Sequence, residues 1–210
     1  MHIPELDAAL LALSPVPVRV AVDAGAHFGT WTRRLLAVGA EVYAIEPCPF
    51  NRAQLVNVVG SDPRLHVHDF ALSDEDGEAD LYTGCPSTVP SIDPRWPTRE
   101  FAKDYVDPSL TIRVATKTWA TFCRENGIDH VDLLKLDCEG MDARILADMA
   151  RTGPWPRVIV AEVCTVGDLG EELARAEVGL TSRGYRSAQN FGLDGAKGRL
   201  NRMYVSEGKA

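Results

Sequence analysis

Residues 20–47 read VAVDAGAHFGTWTRRLLAVGAEVYAIEP, and the order of residue types in this stretch decides the fold. An apolar run, Val18 to Val22, ends in the acid Asp23. A turn of small residues follows, Gly25-Ala26-His27-Phe28-Gly29. A helical pattern then runs over about 30–38 and stops at Gly39, and a second apolar run, Val42 to Ile45, ends in Glu46. Strand, glycine turn, helix, strand and acid in that order make the first half of a nucleotide-binding βαβ unit.

Glycine in a strand-to-helix turn leaves no Cβ between backbone and ligand, and free N–H groups at a helix start favour an anionic group. An acid at the tip of the second strand is placed to accept both hydroxyls of a ribose. Glu46 follows Gly25 by 21 residues, close to the separation of roughly 20 that this role requires. The glycines are spaced Gly-x-x-x-Gly, whereas a pyrophosphate dinucleotide wants Gly-x-Gly-x-x-Gly. A phosphate-free nucleoside such as S-adenosylmethionine needs one close approach plus room for a carboxylate and an ammonium, and suits this turn better. The alternatives are a nicotinamide dinucleotide, as in an NAD(P)-dependent oxidoreductase, a module that binds a nucleoside without turnover, and a plain structural turn.

The 210 residues suffice for one large α/β domain, 1–210, and are too few for two. Hydrophobic residues make up 45% and charged residues 25%, the balance of a soluble globular chain. The net charge of −8, with no clustered basic field, argues against a nucleic-acid partner. The densest basic run, Lys197 to Arg202, reads as solvated surface. Five cysteines, an odd number without a Cys-x-x-Cys pair, argue against a disulfide framework and a cysteine-rich zinc site, so reduced thiols and a cytoplasmic location are the expectation. Residues 1–17 hold a short helix over 4–13 and no signal-peptide pattern, and no apolar run approaches the roughly 20 residues of a membrane span. The oligomeric state stays open, a homodimer included.

Further along, strands are predicted near 65–70, 78–82, 110–115, 131–136, 157–163, 185–188 and 203–205, and helices after Asn51 and near 119–126, 141–150 and 168–179. The alternation calls for a mostly parallel sheet with helices on both faces. The last two strands lack a helix between them, which implies one antiparallel strand, with a hairpin in 192–198. Asp74 to Gly77 reads as a turn joining antiparallel strands. Residues 84–109, rich in proline, are irregular and form the candidate acceptor lid, with Trp96, Phe101 and Tyr105 as flat apolar faces.

A second constellation lies at 131–146, VDLLKLDCEGMDARIL. Lys135 stands near the end of its strand, and Asp137, Glu139 and Asp142 follow at the carboxyl tip, where ligands of open α/β sheets bind. Asp23, Glu46 and Asp137/Glu139 are therefore expected on one rim. Structural readings stand beside this one: Lys135 as an ion-pair partner, Asp137 as a helix cap, Glu139 as a helix-start acid.

These stretches resemble the motifs of FkbM-type S-adenosylmethionine-dependent methyltransferases. Asp23 to Thr32 is similar to the family's D-x-G-A-N-x-G-x-x-S/T, Glu46-Pro47-Cys48-Pro49 to E-P-x-P, and Leu72-Ser73-Asp74 with Gly77 to A-L-S-D-x-x-G. Lys135 to Asp142 is similar to K-x-D-x-E-G-x-E, and 159–163, with Glu162, to a strand ending in glutamate. His27, Asp142 and Trp119-Ala120 depart from the family's Asn, Glu and Leu-Asp. The resemblance implies a Rossmann-like class I methyltransferase with a seven-stranded sheet. It also implies O-methylation of a hydroxyl on a small-molecule acceptor such as a sugar, glycolipid or polyketide-type product.

By position, Asp23, Thr32 and the turn Gly25, Ala26, His27 and Gly29 are assigned to the methionine end of the cofactor. Glu46 with Pro47 is assigned to the ribose, and Asp69 and Phe70 to the adenine. Asp137 and Glu139, with Lys135 beside them, are the candidate catalytic groups, because a hydroxyl needs a base to become a nucleophile. Magnesium held by Asp137, Glu139 and Glu162 is the less favoured reading. His66 and His68, two apart on one strand, are read as packing residues.

Overall fold

The computed structural model describes residues 3–84, 89–100, 102–194 and 198–208. The elements run α1 (Pro4–Leu13), β1 (Val20–Ala24), α2 (Thr30–Ala37), β2 (Glu41–Ile45), α3 (Pro49–Val59), β3 (Leu65–His68), β4 (Ala71–Leu72), β5 (Gly77–Thr83) and β6 (Asp107–Lys117). They continue with α4 (Trp119–Glu125), β7 (Leu133–Leu136), α5 (Asp142–Thr152), β8 (Val158–Cys164), α6 (Gly167–Ser182), β9 (Tyr185–Asp194) and β10 (Arg199–Ser206).

Seven strands form the main sheet in the order β3-β2-β1-β7-β8-β10-β9. All pairings from β3 to β8 are parallel, and β10 runs antiparallel to both β8 and β9. The strands are apolar throughout because both faces are covered. Ala21, Val42, Leu133, Val158 and Val160 pack one face against Leu6, Ala9 and Leu13 of α1 and Leu35 and Leu36 of α2. Val22, Ala24, Leu134, Leu136, Ile159 and Ala161 pack the other against Trp119 and Phe122 of α4, Ile145 and Met149 of α5, and Leu173 and Leu180 of α6. Burying a leucine such as Leu35 fully contributes about 1.5–3 kcal/mol, so the sheet is held from both sides. No helix among the described residues is long and apolar enough to cross a membrane.

The expected strands near 78–82 and 110–115 form, but in a separate three-stranded sheet, β4-β6-β5. The turn after β4 does not join two strands paired with each other; β6 lies between β4 and β5. Asp76 in that turn holds the start of α4 instead, accepting from the Thr118 N–H and the Thr121 hydroxyl, both at 2.6 Å.

Part of 84–109, including Phe101 and the stretch 85–88, lies outside the described residues. The rest is better ordered than its composition suggests. Ser91 bridges Tyr82 through two backbone hydrogen bonds. Arg95 pairs with the fully buried Asp93 at 2.8 Å and reaches Glu172 and Asp168 of α6 at 2.8 and 3.0 Å. The proposed hairpin of 192–198 falls partly outside too, at 195–197.

Candidate functional site

A cavity of about 260 Å³ opens at the carboxyl ends of β1, β2 and β7. Its wall brings together Asp23, Gly25, Ala26, His27, Glu46 and Pro47 from the first two strand ends, and Lys135, Asp137 and Glu139 from the third. Ala71 and Leu72 of β4, Leu81 of β5 and Ile92 supply an apolar side, and Pro90 and Ser91 complete it.

The turn after β1 is shaped by its neighbours as much as by any ligand. Gly25 has φ +74°, and a Cβ there would lie 1.9 Å from the Asp137 carbonyl oxygen. This glycine thus lets β1 and the end of β7 approach each other. Gly29 stands outside the cavity wall; it starts α2 in the left-handed region at φ 79°, where a Cβ would meet Val59 at 2.7 Å. Thr32 is also outside the wall, fully buried, and its hydroxyl donates to Asp23 Oδ2 at 2.6 Å. Burial raises the pKa of Asp23, and the Lys135 charge and the Thr32 hydrogen bond oppose that rise.

Glu46 is 4% exposed and its two oxygens accept from the backbone N–H groups of His27 at 2.8 Å and Cys48 at 2.9 Å. These bonds fix the carboxylate at the strand tip and lower its pKa, against a larger upward push from burial.

At the opposite end, Lys135 Nζ donates to Asp137 Oδ2 at 2.8 Å. Burial works against the Lys135 charge, but Asp137 and Asp23 outweigh it and hold the ammonium protonated above its usual range. Glu139 adopts φ 49°, its carbonyl accepting from the Ser91 hydroxyl at 2.6 Å. Its carboxylate meets Arg199 at 3.4 Å, and Arg199 also holds Glu162, 2.6 Å from its Nε. Burial first, then the charges of Asp137 and Glu162, raises the proton affinity of Glu139 well above the ordinary carboxylate range, with Arg199 opposing. Burial and Asp137 likewise push Glu162 up to about 8. Oxygens of Asp137, Glu139 and Glu162 lie within 4.8 Å of one another, yet the Arg199 guanidinium already supplies the positive charge there. This donor set does not fit a magnesium site.

Two residues assigned to the adenine, Asp69 and Phe70, lie outside this cavity wall. Asp69 is exposed beside Pro49 and Arg52. Phe70 is buried against Phe122, ring centroids 5.8 Å apart, within the core that also holds Trp119. Trp96, expected to face an acceptor, packs instead on Ala102, Val106 and Leu169, and Tyr105 is half exposed. His66 and His68 stack on Tyr43 at 4.6 and 6.0 Å. The basic run Lys197 to Arg202, read as solvated surface, is not simply that: Arg199 is largely buried against Glu162 and Glu139, and Arg202 against Glu177. Ser91 and Ile92 of the cavity wall carried no signal in the sequence. Arg199 reaches the rim only because β10 pairs antiparallel with β8, placing it opposite Cys164 at the β8 carboxyl end.

Known proteins share this architecture. Fibrillarin from Aeropyrum pernix, in complex with natively bound S-adenosyl-L-methionine, superposes with a TM-score of 0.52 at 14% identity, over 96% of this chain and 74% of that one. Magnesium protoporphyrin IX methyltransferase from Synechocystis PCC 6803, with bound S-adenosylmethionine, gives 0.53 at 12% identity, over 96% and 76%. At these identities the likeness shows the fold alone: the class I S-adenosylmethionine-dependent methyltransferase fold, as the strand order indicates. In sequence, the 2-O-methyltransferase NoeI of Sinorhizobium fredii (strain NBRC 101917 / NGR234) is 25% identical over 164 residues, 73% of this chain. The match takes in 66% of that relative, just under two thirds of its length. Residues 23–187 match the family model described as the methyltransferase FkbM domain, and the chain therefore belongs to the FkbM methyltransferase family.

Proposed function

We propose that this protein transfers the methyl group of S-adenosylmethionine to a hydroxyl oxygen of a small-molecule acceptor. One observation carries the reading: in a chain of this family, a single cavity joins a carboxylate fixed at the tip of β2 to a paired acid–lysine cluster at the tip of β7. The 2-O-methylation in the relative's name supports oxygen as the methylated atom, and a sugar or glycolipid hydroxyl is the acceptor class we favour.

The buried oxygens of Asp23 and Asp137 that lack a partner among the described residues, both in the cavity wall, fit a ligand that brings hydrogen-bond donors and positive charge. Glu46 would hold the ribose hydroxyls, and the turn from Gly25 to His27 would border the methionine end. When bound, the cofactor supplies an electrophilic methyl group on a sulfonium. The acceptor oxygen must lie in line with that methyl and lose a proton. Asp137 and Glu139 are the groups placed to take it, Asp137 steadied by Lys135 and Glu139 by Arg199. A raised proton affinity suits Glu139 to that task whenever it is ionised.

Calorimetric titration with S-adenosylmethionine and with NAD tests the cofactor half; tighter NAD binding sinks the reading. Release of S-adenosylhomocysteine in the presence of hydroxylated glycan and glycolipid acceptors tests the transfer half. Binding without such release across the panel would favour a nucleoside-binding module.

A further inference from the structure

Three buried polar atoms in the cavity wall have no hydrogen-bond partner among the described residues: Asp23 Oδ1, Asp137 Oδ1 and His27 Nε2. The partner oxygens of the two carboxylates are committed, to Thr32 at 2.6 Å and to Lys135 at 2.8 Å. The His27 ring is held in place. Its backbone sits at φ 50°, its N–H donates to Glu46 at 2.8 Å, and its imidazole stacks on Phe28 with centroids 3.7 Å and planes 22° apart. Asp23, His27 and Asp137 all line the one cavity, together with Lys135.

Buried acceptors call for donors, and an ammonium group brings three. On the reading that this cavity takes S-adenosylmethionine, we propose that His27 Nε2 accepts a hydrogen bond from the cofactor's α-ammonium, beside Asp23 Oδ1 and Asp137 Oδ1, so that a proton added to this imidazole expels the cofactor. Acceptance requires the neutral ring with its proton on Nδ1. Burial favours that neutral form; Asp137 opposes it and Lys135 supports it. Protonation turns Nε2 into a donor and sets a positive charge against the ammonium. The linkage has one sign: His27 contributes its full share of affinity at high pH and loses it as pH falls through its titration, by up to about tenfold per unit. The other charged groups facing this cavity are Asp23, Glu46, Asp137, Glu139 and Lys135. Neutralising carboxylates also weakens cation binding, so the contribution of His27 is read as a difference between proteins.

The test is calorimetric titration of S-adenosylmethionine into the full chain from pH 5.5 to 8.5, for wild type, His27→Gln and His27→Phe. We expect wild-type affinity to fall more over this range than that of His27→Gln, by up to about tenfold, and His27→Phe to bind more weakly than wild type at pH 8.5. Ring-proton NMR of the wild type provides a readout that needs no folded variant: one histidine should titrate at lower pH when cofactor is present, and that resonance should be missing from His27→Gln. Identical pH profiles for wild type and His27→Gln would overturn the inference. So would His27-dependent tightening at low pH, the mark of an imidazolium facing the cofactor's carboxylate. A wild type that binds no S-adenosylmethionine at any pH defeats the parent reading, whereas a flat His27 comparison defeats only this one.

Discussion

Replacing Gly25 by alanine tests whether the end of β1 and the end of β7 form one rigid rim. The added methyl would lie 1.9 Å from the Asp137 carbonyl oxygen and 2.8 Å from its carbonyl carbon. An ordinary carbon–oxygen contact is about 3.3 Å, so the carbonyl must retreat by roughly 1.4 Å. It is poorly placed to do so: the Asp137 N–H donates to the Ala24 carbonyl at 3.0 Å, and Lys135 pairs in register with Asp23. The left-handed backbone alone adds about 1–2 kcal/mol once a Cβ is present. Clash and backbone cost together should lower the unfolding free energy by roughly 3–4 kcal/mol. The displaced Asp137 should cost at least about tenfold in cofactor affinity, or roughly 1.4 kcal/mol. Gly39→Ala is the control, because φ there is +95° but nothing lies within 4 Å of the new methyl. Urea denaturation with matched m-values, followed by calorimetry with S-adenosylmethionine, reads both quantities. If Gly25→Ala proves as stable as Gly39→Ala and binds cofactor normally, the rigid-rim argument is wrong.

Glu46→Gln should weaken S-adenosylmethionine binding at least about tenfold, because an amide cannot accept from both the His27 and Cys48 N–H groups and still serve a ribose; calorimetry checks it. Lys135→Met removes the counter-ion of Asp23 and Asp137 and should cost about 3–5 kcal/mol at neutral pH, with a smaller loss in acid, where Asp23, its proton affinity raised by burial, becomes neutral. Denaturation at neutral and at acid pH tests this, and an equal loss at each would contradict it. Burial, then the charge of Asp137, raises the Asp142 carboxyl from 3.8 to about 6. A raised acid stabilises the fold below its unfolded value and loses that contribution as pH rises through the folded one. Stability measured against pH should therefore decline between about pH 4 and 6 more in the wild type than in Asp142→Asn.

The sequence revealed what local chemistry decides. The turn from Asp23 to Gly29 and the two acids at strand ends are read from neighbours in the chain, because a glycine at positive φ and an acid after an apolar run leave contiguous traces. Pairing between distant strands leaves none. The small sheet depends on residues 71–72 meeting 116–117, a choice made by packing rather than by the propensity of either segment. Phe70 shows the same limit, since an aromatic residue after a strand reads equally as ligand wall or core, and only Phe122 and Trp119 arriving from α4 make it core. Asp93 is another case: a proline-rich stretch reads as irregular, yet one buried acid and Arg95 pin it to a helix more than seventy residues away.

The reversed direction of β10 has a consequence for how the site comes into being. Every other strand of the rim contributes its last residues there, but β10 contributes its first, Arg199, which sits 60 positions downstream of Glu139. During synthesis, the acids emerge from the ribosome long before the guanidinium that steadies them. Until that hairpin has been made and has docked, Glu139 and Glu162 lack their shared cation, and chemistry at this surface must wait for β10 to be translated.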